Sequence, residues 1–295
     1  MNWSTTIQGI ETLDRSRELR FRDDHADLLL RVLDIRSART IGEIGCGPGA
    51  LSRALARWLG PGVRIAAIDL DRRFVGHAAA TASEASLESV EVLQGDALSL
   101  PLRSDSLDVC LSYTVIEHLP HESFLREQRR VCRRGGRVIT MMALPEKSLA
   151  SIPDGWPPMT ANERELWEHI RAAFQPKEAA RGVGAHWPDP AGLPKTFEQI
   201  GLTSVRVDAL ALPVVPDDAR LTAKQQIEII EADRAITLER IDMAETILGG
   251  ARAPELSKLR ELVEVRFGKR LHTAESGEHV WDYTVSFVLV VSGQR

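Results

Sequence analysis

At 295 residues, with 43% hydrophobic and 27% charged residues, the chain is long enough to bury a substantial core as one elaborated domain. A formal net charge of −5 excludes the basic balance expected of a nucleic-acid or anionic-membrane binder. Cys46, Cys110 and Cys132 are scattered without CxxC spacing, so neither a disulfide framework nor a zinc site is indicated and no metal is expected. Met1-Asn2-Trp3-Ser4-Thr5 lacks the basic-then-apolar order of a signal peptide, and no apolar run approaches bilayer-spanning length. A soluble cytoplasmic protein is expected.

Asp14 to Leu33 carries a helical pattern, with Arg15, Arg17, Arg20 and Arg22 crowding its first half. Those arginines read either as a solvated helix face or as a lid presenting an arginine to a carboxylate. Ile41 to Ile44 is a short strand that runs into Gly45, Gly47 and Gly49 at alternate positions. A helix follows over Ala50 to Leu59, closed by Gly60-Pro61-Gly62. Next come a buried strand Val63 to Ile68 ending in Asp69-Leu70-Asp71, a helix through Phe74, Ala78 and Ala82, and a strand Val90 to Leu93. A fourth strand Leu107 to Leu111, a helix His121 to Cys132 and a fifth strand Val138 to Ala143 complete the series. Strand and helix alternate over 41–143 with short connections, which predicts βαβ units and an α/β fold with a doubly wound, mostly parallel sheet. Right-handed crossovers limit its topology.

Past Ala143 the pattern changes. The stretch 144–190 holds Pro153, Trp156, Pro157, Pro158, Trp167, Trp187, Pro188 and Pro190 and is helical only over Asn162 to Phe174. A connection of that length is expected to be a lid or binding loop. Leu193 to Ile200 returns as a helix and Val205 to Leu212 as a strand. Asp218 to Leu248 and Pro254 to Phe267 are long helices, the first with Ile230, Ile241 and Leu248 on one side, suited to its own sheet or to another subunit. Oligomeric state is left open. Trp281, Tyr283, Val285, Phe287, Leu289 and Val291 alternate as a last strand. The expected organisation is an N-terminal helical cap over 1–40, a core over 41–143 and a lid insertion over 144–190. A core continuation over 191–216, a helical insertion over 217–272 and a final strand over 278–295 complete it.

The glycine turn admits two readings. Gly45-x-Gly47-x-x-Ala50 satisfies the dinucleotide fingerprint, with Asp69 at the right distance for a ribose acid. Alternatively, Gly45, Gly47 and Gly49 admit the amino-acid portion of a nucleoside-linked cofactor. Glu43 favours the second, because its charge would repel a pyrophosphate and attract an α-ammonium. Cys46 beside the turn is read as packing.

The whole run resembles the class I S-adenosylmethionine-dependent methyltransferases. The matching pieces are Glu43-Ile44-Gly45-Cys46-Gly47-Pro48-Gly49, Ile68-Asp69, Gln94-Gly95-Asp96-Ala97-Leu98-Ser99-Leu100-Pro101, and Leu107-Asp108-Val109 through Glu117-His118-Leu119. Arg130 to Arg137 is similar to the segment before the fifth strand, with Arg134 where proline is common. The resemblance implies a seven-stranded, Rossmann-like sheet with helical lid insertions, S-adenosyl-L-methionine as methyl donor and S-adenosyl-L-homocysteine as product. It implies that Gly45, Gly47 and Gly49 pack on the methionine part, with Glu43 near its ammonium. Asp69 would accept from both ribose hydroxyls and Asp96 from the adenine amino group. The Ala97 amide would meet a ring nitrogen, with Leu70 and Ala97 flanking the adenine. Ser112 and Tyr113 are expected to face the sulfonium and methyl group.

Catalysis in such enzymes rests on positioning, which supplies roughly 7–11 kcal/mol for well-oriented reactants. A general base is needed only where the acceptor loses a proton. His118 is the first candidate and His186 the second, while Glu117 is read as bracing its loop. Tyr113, Trp156, Trp187 and Trp281 are candidates for an aromatic wall, which suggests a small, partly apolar acceptor. Ser112-Tyr113-Thr114-Val115 differs from the Asn-Pro-Pro-Tyr type of nucleic-acid amino methylation and counts against a nucleic-acid partner. The alternative is a protein or RNA docked on the helices over 218–267.

Overall fold

The computed structural model describes residues 3–152, 156–179 and 183–295, so Pro153 of the proline-rich stretch lies outside the described residues. The chain enters through one helical turn, α1 (Trp3–Thr6), then α2 (Ile10–Glu18) and α3 (Ala26–Leu33). The single helix expected over 14–33 is therefore two. The chain breaks after Glu18 to seat Phe21, which is buried and packs edge-on against the Tyr113 ring with centroids 5.1 Å apart. His25 Nδ1 lies 2.9 Å from the Arg20 carbonyl oxygen and holds the bend.

The alternating core follows: β1 (Thr40–Ile44), α4 (Ala50–Leu59), β2 (Arg64–Asp69), α5 (Arg72–Glu84), β3 (Val90–Gln94), β4 (Leu107–Tyr113), α6 (His121–Val131) and β5 (Cys132–Ala143). β1 is buried from Ile41 onward, as a central parallel strand covered on both faces must be. β5 starts at Cys132, ahead of its apolar run, because Cys132 already pairs with Leu107 across an irregularity in the ladder. Then come β6 (Leu149–Ala150), α7 (Ala161–Ala179), α8 (Leu193–Gln199), β7 (Thr203–Val214), α9 (Ala223–Leu248), α10 (Ala253–Glu275) and β8 (Thr284–Gln294).

The sheet runs β3-β2-β1-β4-β5-β8; β7 pairs β8 along its outer edge, and the two-residue β6 pairs Thr284 and Val285 on the opposite edge, which β5 occupies further along the strand. β1 to β5 are mutually parallel and β8 is antiparallel to its neighbours. Seven strands are as expected, and β6 adds an eighth. Because β1 is flanked by β2 and β4, successive strands build outward in opposite directions from it. The crevice between the carboxyl ends of β1 and β4 is the switch point where ligands bind in such sheets. Leu29, Leu33, Leu51 and Leu55 cover one face, and Phe124, Leu125 and Phe197 cover the other.

The helical insertion has a core of its own. Ile230, Ile241, Leu259, Val263 and Phe267 are fully buried there with Trp156 and Ile170, each large side chain contributing about 1.5–3 kcal/mol. The apolar stripe of α9 is thus satisfied within the chain. α9 begins at Ala223 and not at Asp218, because Thr222 and Gln225 form a capping box. The last strand starts at Thr284. Trp281 precedes it at φ 57° and is half exposed. Among the described residues, no helix is long and apolar enough to cross a membrane.

Candidate active site

A cavity of about 620 Å³ opens over the carboxyl ends of β1, β2 and β4. Its floor is the glycine turn. Gly45 adopts φ 73°, and any side chain there would strike Val115. Gly47 adopts φ 54° and a Cβ would meet nothing within 4 Å, so this residue leaves its space to the cavity. Gly49 stands behind, at the N-cap of α4, where a Cβ would lie 2.9 Å from that of Ala78. It does not line the cavity.

Asp69, at the end of β2, lines the cavity and holds the turn as well: its Oδ2 accepts the Gly47 N–H at 2.8 Å and its Oδ1 the Asp71 N–H at 2.8 Å. Burial raises its pKa. Beside it Leu70, an apolar side chain 51% exposed, faces the same space as Ala97 and Asp96. Asp96 Oδ1 accepts the Leu98 N–H at 2.8 Å, which leaves the rest of the carboxylate available. An exposed leucine next to two acids suits a planar, partly polar ring.

Glu43 lines the cavity but is nearly buried, and Ser52 Oγ donates to its Oε2. Burial pushes its pKa to about 8, so near neutrality it is largely protonated. The full negative charge expected opposite an ammonium is therefore not present in the ligand-free protein. Cys46 is buried with its thiol pKa pushed up, consistent with packing.

At the other end stand Tyr113, Thr114, Glu117 and His118. Ser112 does not face this space. It is wholly buried in the sheet, its Oγ 3.4 Å from Thr140 Oγ1, because side chains alternate along β4 and Tyr113 takes the cavity side. The Tyr113 hydroxyl is buried without a partner among the described residues. His118 packs at a tilt against Trp3 with ring centroids 4.7 Å apart, and its Nδ1 accepts the Gly184 N–H at 3.0 Å. Burial drops its pKa to about 4. With Nδ1 engaged, the other nitrogen carries the proton, so the ring is arranged to donate and not to take a proton. His186 lines the cavity mouth, its N–H donating to the Glu117 carbonyl oxygen at 3.0 Å.

Sequence reasoning missed two residues here. Glu117 does more than brace its loop: its carboxyl lines the cavity, Oε2 is buried without a partner, and burial pushes its pKa to about 7. Phe21 builds part of the wall with Leu13 and Tyr113. Of the expected aromatic wall, Tyr113 and Trp187 line the cavity, whereas Trp156 packs in the insertion core and Trp281 stands near His279. The roof is the N-terminal segment. The Ser4 N–H donates to Asp71 Oδ2 at 2.7 Å, and Arg53 beneath α2 donates to Asp14 Oδ1 at 2.6 Å and Glu18 Oε1 at 2.8 Å.

A doubly wound sheet with a glycine turn under a nucleoside-sized cavity defines a nucleotide-cofactor α/β protein. Residues 42–140 match the family described as methyltransferase domain. The chain is 33% identical over 134 residues to a probable S-adenosylmethionine-dependent methyltransferase of Mycobacterium tuberculosis, covering 44% of each chain. It is 29% identical over 201 residues to malonyl-[acyl-carrier protein] O-methyltransferase of Pectobacterium atrosepticum, covering 64% of this chain and 74% of that one. The fold matches phosphoethanolamine N-methyltransferase 2 of Haemonchus contortus with a TM-score of 0.54 at 14% identity, over 99% of this chain and 59% of that one. The chain spans about half the length of most curated relatives it matches, between 36% and 74%. Residues 42–140 thus match a methyltransferase domain, and the relatives to which the chain is similar include an S-adenosylmethionine-dependent methyltransferase.

Proposed function

We propose that the cavity binds S-adenosylmethionine and transfers its methyl group to a small, partly apolar acceptor. The observation that carries this reading is the sheet order β3-β2-β1-β4 beneath one cavity, which sets Asp96 and Ala97 after β3, Asp69 and Leu70 at the end of β2, Gly47 after β1, and Tyr113 and Glu117 at and after the end of β4. That order matches an adenine, a ribose and a methionine arm laid across the carboxyl ends of the strands. Asp69 would take the ribose hydroxyls, Asp96 and the Ala97 amide the adenine edge, and the turn the methionine arm. The bound donor supplies a methyl group activated by positively charged sulfur. What the chain contributes is alignment and exclusion of water, through a roof latched by Ser4, Asp14 and Arg53. Where the acceptor must lose a proton, Glu117 is better suited than His118, having a free carboxyl oxygen and a pKa near 7.

A small acceptor is favoured because Trp3, Phe21 and Trp187 line the same cavity as Tyr113 and give its wall a partly apolar, aromatic character. The name of the Pectobacterium relative, an O-methyltransferase of a malonyl group on a carrier protein, is in keeping with a short acyl acceptor. Calorimetry with S-adenosylhomocysteine tests the reading. Wild type should bind it, Asp69→Ala should bind at least about 30-fold more weakly on losing charge-assisted hydrogen bonds, and NAD should give no heat. Tighter binding of NAD than of S-adenosylhomocysteine would reject it.

A further inference from the structure

Most arginines around α2 have an acid. Arg15 pairs with Glu11, Arg22 with Asp24, and Arg53 with Asp14 and Glu18. Arg17 has none among the described residues. Its Nη2 donates to Thr114 Oγ1 at 2.7 Å, and its guanidinium carbon sits 4.5 Å from the centroid of the Tyr113 ring, on the wall of the cavity. A hydroxyl uses one of five N–H donors, and an aromatic face repays only part of the charge's lost hydration. Burial accordingly lowers the Arg17 pKa. Glu117 and Glu43, the acids that act on it through space, form no ion pair with it, and burial moves both toward the protonated form, so they offset its charge only in part. The cavity wall therefore presents a partly buried cation with donors to spare and no ion-pair partner among the described residues.

We propose that Arg17, steadied by Thr114 and the Tyr113 ring, holds a carboxylate inside the cavity. A planar fork facing a planar anion is the arrangement in which guanidinium exceeds ammonium in strength and direction. Two molecules can bring that group: the methyl donor, through its methionine carboxylate, or an acceptor that is itself a carboxylic acid. The donor source rests on the methyltransferase reading above. In either case the helical insertion takes part in recognition, because α9 holds the α2 segment that carries Arg17.

Calorimetry on the full chain separates the sources. 5′-Methylthioadenosine keeps the nucleoside and lacks the carboxylate. If the donor supplies the anion, Arg17→Met binds S-adenosylhomocysteine about 10- to 100-fold more weakly and 5′-methylthioadenosine as wild type does. If the acceptor supplies it, both nucleosides bind the two proteins equally. Wild type saturated with S-adenosylhomocysteine then binds benzoate or octanoate but not their amides, and Arg17→Met loses that binding. Equal affinity for both nucleosides with no carboxylate preference in either protein overturns the inference. Should Arg17→Met lose 5′-methylthioadenosine too, Arg17→Lys decides. Recovery of that nucleoside with partial recovery of the carboxylate ligand supports the proposal, and equal loss of both overturns it. A wild type that binds neither nucleoside defeats the methyltransferase reading and this inference together.

Discussion

Glu239 of α9 accepts the Thr12 N–H of α2 at 2.6 Å, and a second bond from the Glu11 N–H at 3.2 Å uses its other oxygen. α2 has no side-chain cap of its own, since its N-cap is Gly9, and the absent side chain is what lets the carboxylate approach. A distant insertion thus provides the anion that the start of α2 requires. Glu239→Ala should remove about 0.5–2 kcal/mol of capping, felt mainly by α2. Amide exchange over residues 10–18 should quicken, and S-adenosylhomocysteine should bind several-fold more weakly because α2 roofs the cavity. Unaltered exchange in that segment would show that α2 is held by its other contacts.

Glu43 links the cavity floor to pH. Its ordinary value is 4.5 and burial raises it to about 8, so between those values the folded chain keeps a proton that the unfolded chain has released. The associated stability is complete below pH 4.5 and is lost as pH rises through 8. Glu43→Gln cannot lose that proton and keeps an acceptor for Ser52. At pH 8.5 the ligand-free variant should melt about 3–6 °C above wild type, with the gap shrinking toward pH 5. Parallel melting curves for the two proteins across that range would contradict a protonated Glu43.

The core was legible because its signals are local. A glycine turn after Ile44 and acids closing the second and third strands are short-range features fixed by where backbone meets ligand. What could not be read depends on chain geometry over long separations. Ser112 and Tyr113 are adjacent, and which of them faces the cavity is set by the register of β4 against β5, not by composition. Glu117 reads as a loop brace until burial leaves one of its oxygens without a partner. The break after Glu18 is written in no glycine or proline; it follows from the contact of Phe21 with Tyr113. Trp156 and Trp187 look alike in sequence, and only the separate core of the insertion distinguishes them.

His118 offers a check that needs no substrate. Nδ1 accepts from Gly184, and burial moves the pKa from 6.5 to about 4. A depressed value means that the contribution to stability is present above pH 6.5 and is lost as pH falls through 4. Ring ¹⁵N spectra should therefore show neutral His118 with its proton on Nε2 down to about pH 5, where an ordinary histidine is charged. His118→Gln should remove the pH dependence of its resonance window without abolishing nucleoside binding. A His118 signal titrating near 6.5, or protonated at Nδ1, would restore the general-base reading.

Arg270 of α10 is buried between Asp217 and Asp282, with contacts of 2.8 Å and 2.9 Å, and all three side chains are at most 3% exposed. Asp217 also accepts the Val280 and Trp281 N–H groups at 3.0 Å and 2.7 Å, so one arginine ties the insertion to the chain that returns to β8. Burial raises the Asp282 pKa even with Arg270 present. Arg270→Met strands two carboxylates without a counter-charge and should cost about 3–5 kcal/mol in urea unfolding. Adding Asp217→Asn and Asp282→Asn removes the stranded charges and should recover a large part of the loss. A single-variant cost below about 1 kcal/mol would mean that water reaches the triad. A triple variant no more stable than the single would mean that hydrogen-bond geometry, and not charge, is what the site enforces.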